Sequence, residues 1–178
     1  MIETIPPLAS LTRPHFFTGQ VLTAEDLKAE QQYHINKQRL HNRMLHGSGI
    51  VYGLAVSQQK NLLTVEAGLA LDCLGREIIV PEHLEVTLQE GDIEPYLALH
   101  YHEVPVDVTP TAQGEMQPGR LEEKYVVLWT DEESIRCLRR RKAGERTCGR
   151  AHPVPIARVS RRGDRWRLNR TFKPARVR

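Results

Sequence analysis

The sequence has few aromatic residues, few cysteines and no long apolar run. Aromatic residues make up 6% of the 178 residues, so large side chains that anchor a core are scarce. The three cysteines are an odd number and fit reduced thiols rather than a disulfide framework. No apolar run approaches the ~20 residues that cross a bilayer, and the N-terminus lacks the basic and apolar regions of a secretory signal. We therefore expect synthesis and assembly in the cytosol, without membrane insertion.

The patterns of common enzyme sites are also missing. The sequence contains no HExxH, G-x-S-x-G, GxGxxG or P-loop motif. His100 and His102 alternate on a predicted strand and share a face, as the first two ligands of a metal site would. Glu103 points the other way and no third ligand follows. We expect two ordinary half-buried histidines, no cofactor and no catalytic role, and keep a metal-dependent enzyme as the third alternative.

A second set of metal-ligand residue types lies near the C-terminus. Cys137, Cys148 and His152 have the spacing C-x10-C-x3-H. Zinc sites usually begin with a close C-x2–4-C pair, which is missing, as is a fourth ligand. Thiols in a basic loop are therefore the favoured interpretation over a metal site.

Charge is distributed unevenly along the chain. Residues 136–178 hold 16 basic and 2 acidic residues, whereas residues 1–135 hold 9 basic and 20 acidic ones, for a net charge of +3. Such asymmetry predicts an acidic partner for the C-terminal part. The arginines that we expect to meet it are Arg139, Arg140, Arg141, Arg161, Arg162 and Arg165. Nucleic acid is the alternative partner, but Trp166 and Leu168 alternate with arginines as in a half-buried strand.

One long helix is predicted after an extended arm. Thr23 and Asp26 form a near-match to a capping box, and Gly47 provides a stop. The 24–46 segment between them contains neither proline nor glycine but has only about six good apolar residues, too few for a core helix. Its C-terminal end is strongly polar. We predict that these polar residues contact the following strand or a neighbouring subunit: Arg39, His41, Asn42, Arg43 and His46.

Period-two patterns and turn signals predict a mainly antiparallel β-region after residue 48. Strands are expected at 50–57, 62–67, 69–73, 76–80, 84–88, 96–104, 124–130, 154–159 and 165–169. Gly47, Gly49 and Gly53 would allow close backbone approach, and Gly75 would supply a positive φ in a hairpin turn. Asp72, Arg76 and Glu77 at that hairpin are interpreted as a salt-bridged turn. The fold class is therefore α+β, with a β-barrel or sandwich.

The predicted organisation has three parts. Residues 1–22 form the extended arm, residues 23–47 the long helix, and residues 48–178 the mainly-β domain. Irregular loops are expected at 105–120, which contains several prolines and glycines, and at 134–152.

Three stretches of the sequence resemble one family. They are FFTGQVLTAEDLKAEQQYHINKQRLHNRMLHGSGIVYGLAV at 16–56, AGLALDCLGREIIVPEHLEVTL at 67–88 and PVPIARV at 153–159. These stretches resemble small baseplate-associated structural proteins of contractile, phage-tail-like injection systems. They are also similar to strand pairs near the attachment ends of phage baseplate and tail-fibre proteins. Ser48 departs from the family pattern, because an aromatic residue often lies between the two glycines there.

The resemblance implies a structural protein rather than an enzyme. It implies several symmetry-related copies at the baseplate or at a fibre-attachment position. Expected partners are copies of the chain and other baseplate or tail proteins, and the assembled particle could be released from the cell. Nucleic-acid binding through the basic C-terminal segment is the alternative function.

Overall fold

A computed structural model describes residues 9–88, 95–139, 151–163 and 165–177. An extended segment leads into a helical rod, which precedes a region of short antiparallel strands. The helical elements are α1 (Ala24–His41), which continues as one π-helical turn (Asn42–His46), and α2 (Glu132–Arg139). The strands are β1 (Gly49–Gly53), β2 (Val56–Gln59), β3 (Leu62–Val65), β4 (Gly68–Leu71), β5 (Glu77–Val80), β6 (Leu84–Thr87), β7 (Tyr96–Pro110), β8 (Met116–Thr130), β9 (Val154–Arg162) and β10 (Arg165–Leu168).

The strands form three open antiparallel sheets within the described residues. Their orders are β1-β4-β5, β2-β3-β6 and β10-β9-β7-β8. One apolar cluster, which includes Leu63, Ile78, Leu97 and Val154, draws buried side chains from all three sheets. The predicted mixture of helix and antiparallel sheet is confirmed. The barrel alternative is wrong for the described residues, because their sheets do not close on themselves; face-to-face sandwich packing stays a prediction.

The long predicted helix is present and begins where the capping signal indicates. The Thr23 hydroxyl accepts a hydrogen bond from the Asp26 backbone N–H at 3.2 Å, and the Asp26 carboxylate accepts one from the Thr23 N–H at 3.0 Å. This reciprocal pair satisfies two of the backbone donors that the first turn leaves open. The α-helical pairing ends at His41, and the π-helical turn carries the chain to His46.

The predicted strand at 50–57 is wrong in one respect. The chain forms two strands there, β1 and β2, which belong to different sheets. Leu54, between them, takes a left-handed backbone conformation with φ of 56°. A single strand cannot continue through such a residue, so alternation of apolar residues across the break was misleading.

The predicted irregular loop at 105–120 is also wrong. Strands β7 and β8 pair in one register from Tyr96 opposite Thr130 to Pro110 opposite Met116. Strand β9 pairs with β7 only over Tyr96–Leu99, so beyond this part no other described strand pairs with the two-stranded hairpin. Proline is tolerated where its missing N–H faces an unpaired edge, which is why the prolines do not interrupt the strands.

The loop predicted at 134–152 is wrong at its beginning, because α2 covers Glu132–Arg139. Two acidic residues in its first turn suit the positive end of the helix dipole. The remainder of that prediction lies outside the described residues from 140 to 150. The C-terminal hairpin is confirmed, with Arg165 of β10 opposite Arg162 of β9.

Candidate assembly surfaces

The helical rod joins the β-region at its C-terminal end. Asn42 is buried, and its side-chain amide donates to the Gly75 carbonyl oxygen at 3.0 Å and to Glu77 Oε1 at 3.3 Å. The Gln38 amide donates to the same Glu77 oxygen at 2.7 Å. Gly75 has φ of 82°, and a Cβ there would collide with the carbonyl of Arg39. The C-terminal end of the rod therefore packs directly against the turn between β4 and β5.

That turn is held by a buried ion pair. Arg76 Nε donates to Asp72 Oδ2 at 2.6 Å, and both side chains are almost completely buried. The other carboxylate oxygen accepts the backbone N–H groups of Leu74 and Arg76 at 2.8 and 2.9 Å. The salt-bridged turn expected from the sequence is thus present. The Arg76 guanidinium also lies 4.6 Å from the centre of the Tyr101 ring, which connects the turn to β7.

Burial shifts the pKa values of two groups around the turn in opposite directions, and in both cases it favours the neutral form. Burial, followed by hydrogen bonds to Glu103 and Glu123, raises the pKa of the Tyr101 hydroxyl. Its O–H donates to those two carboxylates at 2.6 and 2.9 Å. Burial lowers the pKa of Arg43, an effect that nearby Asp72 opposes. The raised pKa keeps the Tyr101 hydroxyl in its neutral form, in which it donates hydrogen bonds.

The polar residues at the end of the rod occupy different environments. Arg39 reaches Glu103 Oε1 at 3.5 Å, and Arg43 is partly buried near Asp72. His41 and His46 are exposed, with their ring centres 5.4 Å apart. Asn42 and Arg39 thus contact the β-region within the chain. Contact with a neighbouring subunit through any of these residues stays a prediction.

The remaining predicted glycines lie at turns and close approaches. Gly47 and Gly53 have φ of 78° and 61°. Gly49 lies against the C-terminal segment, because a Cβ there would lie 2.5 Å from the Ala175 carbonyl oxygen. The same oxygen accepts the Ile50 N–H at 2.8 Å, which ties the end of the chain to β1.

The N-terminal part of the rod and the segment before it are exposed. None of the residues of α1 is buried. Val21 is 85% exposed, Phe17 66% and Leu27 54%. We call the exposed apolar side chains of this region the arm–helix surface: Phe16, Phe17, Val21, Leu22, Leu27 and Ile35. These exposed apolar side chains are candidate contact residues for another protein.

Helix α1 is stabilised by side-chain pairs one turn apart, because none of its faces is buried against the β-region. Glu30 Oε1 lies 2.9 Å from His34 Nε2, and the Gln32 amide donates to Asn36 Oδ1 at 2.8 Å. Such pairs contribute only about 0.2–0.5 kcal/mol each. The rod therefore depends on local pairs, on its cap and on its C-terminal contacts.

A basic cleft lies on another part of the chain. It has a volume of about 980 Å³ and lies between the β1–β2 region, β10 and the C-terminal segment. The cationic residues that line it are Lys60, Arg165, Arg167, Arg170 and Arg176. The sequence analysis selected Arg165 but missed Lys60, because more than 100 positions separate it from the C-terminal arginines. The run of arginines from 165 to 176 was the available signal for the others.

The other predicted arginines do not join this cleft in the described structure. Arg161 Nε donates to the Gly163 carbonyl oxygen at 3.2 Å. Arg162 and Arg139 lie in β9 and α2, and nothing is described of their side chains. Arg140 and Arg141 lie outside the described residues.

No group of three or more His, Cys, Asp or Glu residues that could hold a metal ion occurs in the described part of the chain. His100 is half-buried and His102 exposed on β7. The His152 N–H faces Cys73 Sγ at 3.3 Å. The side chain of Cys137, and all of Cys148, are outside what the structure describes. None of the helices in the described residues is long and apolar enough to span a membrane.

Comparison with known proteins gives distant structural likeness only. No protein-family model and no curated protein matches the sequence. A crystal structure of TssK aligns with 90% of this chain and 41% of its own length, at 11% identity and a TM-score of 0.49. A chain of the baseplate complex from the type VI secretion system aligns over 93% of this chain and 60% of its own, at 11% identity and a TM-score of 0.49.

A chain of the type VI secretion TssK-TssF-TssG baseplate subcomplex aligns over 93% of this chain and 62% of its own, at 12% identity and a TM-score of 0.48. This chain therefore spans between two fifths and two thirds of the length of those chains. Likeness at this level does not assign a function.

Proposed function

We propose that this chain is a structural component of a contractile injection apparatus, placed at the baseplate or at a fibre-attachment position. It acts by binding other proteins of the assembly and has no catalytic role. Its synthesis and assembly take place in the cytosol, and copies can leave the cell within the finished particle. The three stretches that resemble baseplate-associated proteins support this type of apparatus.

The exposed arm–helix surface is the observation that carries the proposal. A helix of 18 residues, about 27 Å long at 1.5 Å per residue, has no buried residue in the single chain. Helices in globular proteins gain most of their stability from packing an apolar face. Phe17, Leu27 and Ile35 remain available for that packing. Another protein of the baseplate is the partner that would cover them.

The test replaces apolar side chains of this surface without removing helix formers. A variant with Phe17→Ser, Leu27→Gln and Ile35→Gln should stay soluble and folded but be lost from purified particles. The matched control changes three exposed apolar residues of the β7–β8 hairpin, Val108→Thr, Met116→Gln and Leu121→Thr. The control should be incorporated at normal occupancy, as counted by quantitative mass spectrometry of the particles.

Two results would contradict the proposal. Normal occupancy of the arm–helix variant would show that this surface is not an assembly interface. Absence of the unaltered chain from every tail-like particle would show that the chain is not a component of such an apparatus.

A further inference from the structure

The basic cleft has a consistent electrostatic character. All five of its charged lining residues in the described structure are cationic, and no carboxylate is among them. None of the five forms an ion pair with another described residue. Two exposed cations of β8, by contrast, have such partners: Arg120 lies 2.7 Å from Asp107 and Lys124 lies 3.0 Å from Glu122. The cleft thus concentrates positive charge that the described part of the chain leaves uncompensated.

The positions of the cleft walls are fixed by Gln58. Its Oε1 accepts the Leu168 N–H at 2.7 Å, and its Nε2 donates to the Trp166 carbonyl oxygen at 3.1 Å. Nε2 also donates to the Lys60 carbonyl oxygen at 2.7 Å. One amide therefore binds the end of β2 to β10 and holds Lys60 beside Arg165 and Arg167. Gln58 is a positioning residue for the charged rim.

The cleft also has apolar walls. Its lining includes the half-buried Leu168 and Phe172, together with Ile50, Leu54 and Ile156, which are almost completely buried. An apolar lining beneath a cationic rim suits an extended peptide whose side chains alternate between apolar and charged.

We infer that this cleft binds an extended acidic segment of a partner protein. Charge complementarity selects an acidic partner, since five uncompensated cations repel a basic one. The apolar walls favour a peptide, whose alternate side chains can be buried, over a chain of phosphates alone. The cleft is separate from the arm–helix surface, so the inference stands whether or not the chain belongs to a contractile apparatus.

Single-stranded nucleic acid fits the cleft less well. Its recognition commonly uses exposed aromatic faces on which successive bases stack. Phe172 is the one aromatic residue among the described lining residues, and it packs edge-to-face on Tyr96 with ring centres 5.5 Å apart. Trp166 of β10 is half-buried against the apolar core.

The experiment measures binding of a fluorescent peptide of alternating glutamate and valine to the full chain by anisotropy. We expect saturable binding that weakens with added salt. The variant Arg165→Gln, Arg167→Gln, Arg170→Gln should bind about tenfold or more weakly, because each rim charge contributes to attraction. A control with the same loss of charge, Arg13→Gln, Lys28→Gln, Arg120→Gln, should change binding less than about twofold.

Amide chemical shifts of the unaltered protein locate the bound peptide independently of any variant. Titration with the peptide should perturb the amides of Ser57, Gln58 and Leu168 and leave those of Glu122 and Lys124 unchanged. Absence of binding, equal weakening in both variants, or shifts spread over the surface would overturn the inference. Tighter binding of oligothymidylate that depends on the same three arginines would assign the cleft to nucleic acid instead.

Discussion

At the scale of single residues, the buried ion pair in the turn between β4 and β5 contrasts with an exposed ion pair in the β7–β8 hairpin. Asp72 and Arg76 are paired with less than a tenth of either side chain exposed. Arg120 and Asp107 are also paired, but both are more than half exposed. Removing one partner of a buried pair leaves an uncompensated charge in the interior, whereas water replaces the partner of an exposed one. Arg76 and Arg120 have similar ion-pair distances but should therefore differ greatly in their contributions to the free energy of unfolding.

We predict that Arg76→Leu lowers the free energy of unfolding by about 3–5 kcal/mol. Arg120→Leu, the matched control, should lower it by about 0–1 kcal/mol. Urea denaturation followed by tryptophan fluorescence measures both. Equal effects of the two substitutions would show that the Asp72 carboxylate is not the buried charge that the structure indicates.

The sequence predicts the Asp72–Arg76 pair because both residues belong to one tight turn. It does not predict that Asn42 donates to the Gly75 carbonyl oxygen or that Arg76 lies on the Tyr101 ring. Those contacts join positions more than 20 residues apart, and their formation depends on how the rod and sheets are oriented. The residues of the turn were sufficient to predict its ion pair, whereas the contacts between distant positions could be seen only in the folded structure.

At the scale of elements, the N-terminus of α1 depends on the reciprocal bonds between Thr23 and Asp26. The carboxylate form of Asp26 accepts the Thr23 backbone N–H and, at 2.9 Å, the Thr23 hydroxyl, and these two bonds lower the pKa of Asp26 below its ordinary value of 3.8. A carboxyl group whose pKa is lowered on folding stabilises the fold above its ordinary pKa. That contribution is lost as the pH falls through the lower, folded value.

We predict that Thr23→Ala raises the pKa of Asp26 part of the way to its ordinary value, because the backbone bond remains and the hydroxyl bond is lost, and that it reduces the helical content of the rod. Thr23→Ser should retain both properties, because the serine hydroxyl can donate to the carboxylate and accept the Asp26 N–H. A carbon-detected NMR titration of the Asp26 carboxyl group gives the pKa, and far-UV circular dichroism gives the helical content. An unchanged Asp26 pKa in Thr23→Ala would exclude the hydroxyl as a cause of the shift.

Elements with a local signal were predicted well, and those set by distant pairing were not. Thr23, Asp26 and Gly47 marked the helical rod within the sequence itself. By contrast, Pro105, Pro110 and Pro118 suggested a loop where β7 and β8 form one continuous ribbon. Proline disfavours a strand only where its N–H is needed, and the sequence alone does not show which strand edges are unpaired.

At the scale of the whole molecule, the surplus of basic residues near the C-terminus is explained only in part by the fold. Three C-terminal arginines and Lys60, which is distant in sequence, converge with Arg165 on one cleft. The arginines at 140 and 141 lie outside the described residues, so their predicted contacts stay untested. The structure therefore assigns the surplus of basic residues to a defined surface only for those that line the cleft.

The molecule also divides into a well-packed part and an unpacked part. Leu97, Ala98 and Leu99 of β7 are fully buried at the centre of a four-stranded sheet, while α1 has no buried residue. Amide hydrogens exchange through local opening, and the free energy of opening follows the packing of each element. In the isolated protein, opening of α1 breaks few contacts outside the rod itself.

We predict that the amides of residues 27–36 exchange rapidly in the isolated protein and slowly in the assembled particle. The amides of Leu97 and Leu99 should be strongly protected in both states and serve as the internal control. Hydrogen–deuterium exchange with mass spectrometry compares the two states peptide by peptide. Protection of α1 that equals that of β7 in the isolated protein would show that the rod needs no partner. Rapid exchange that persists in the particle would place the arm–helix surface outside its interfaces, because a covered helix must break intermolecular contacts before its amides open.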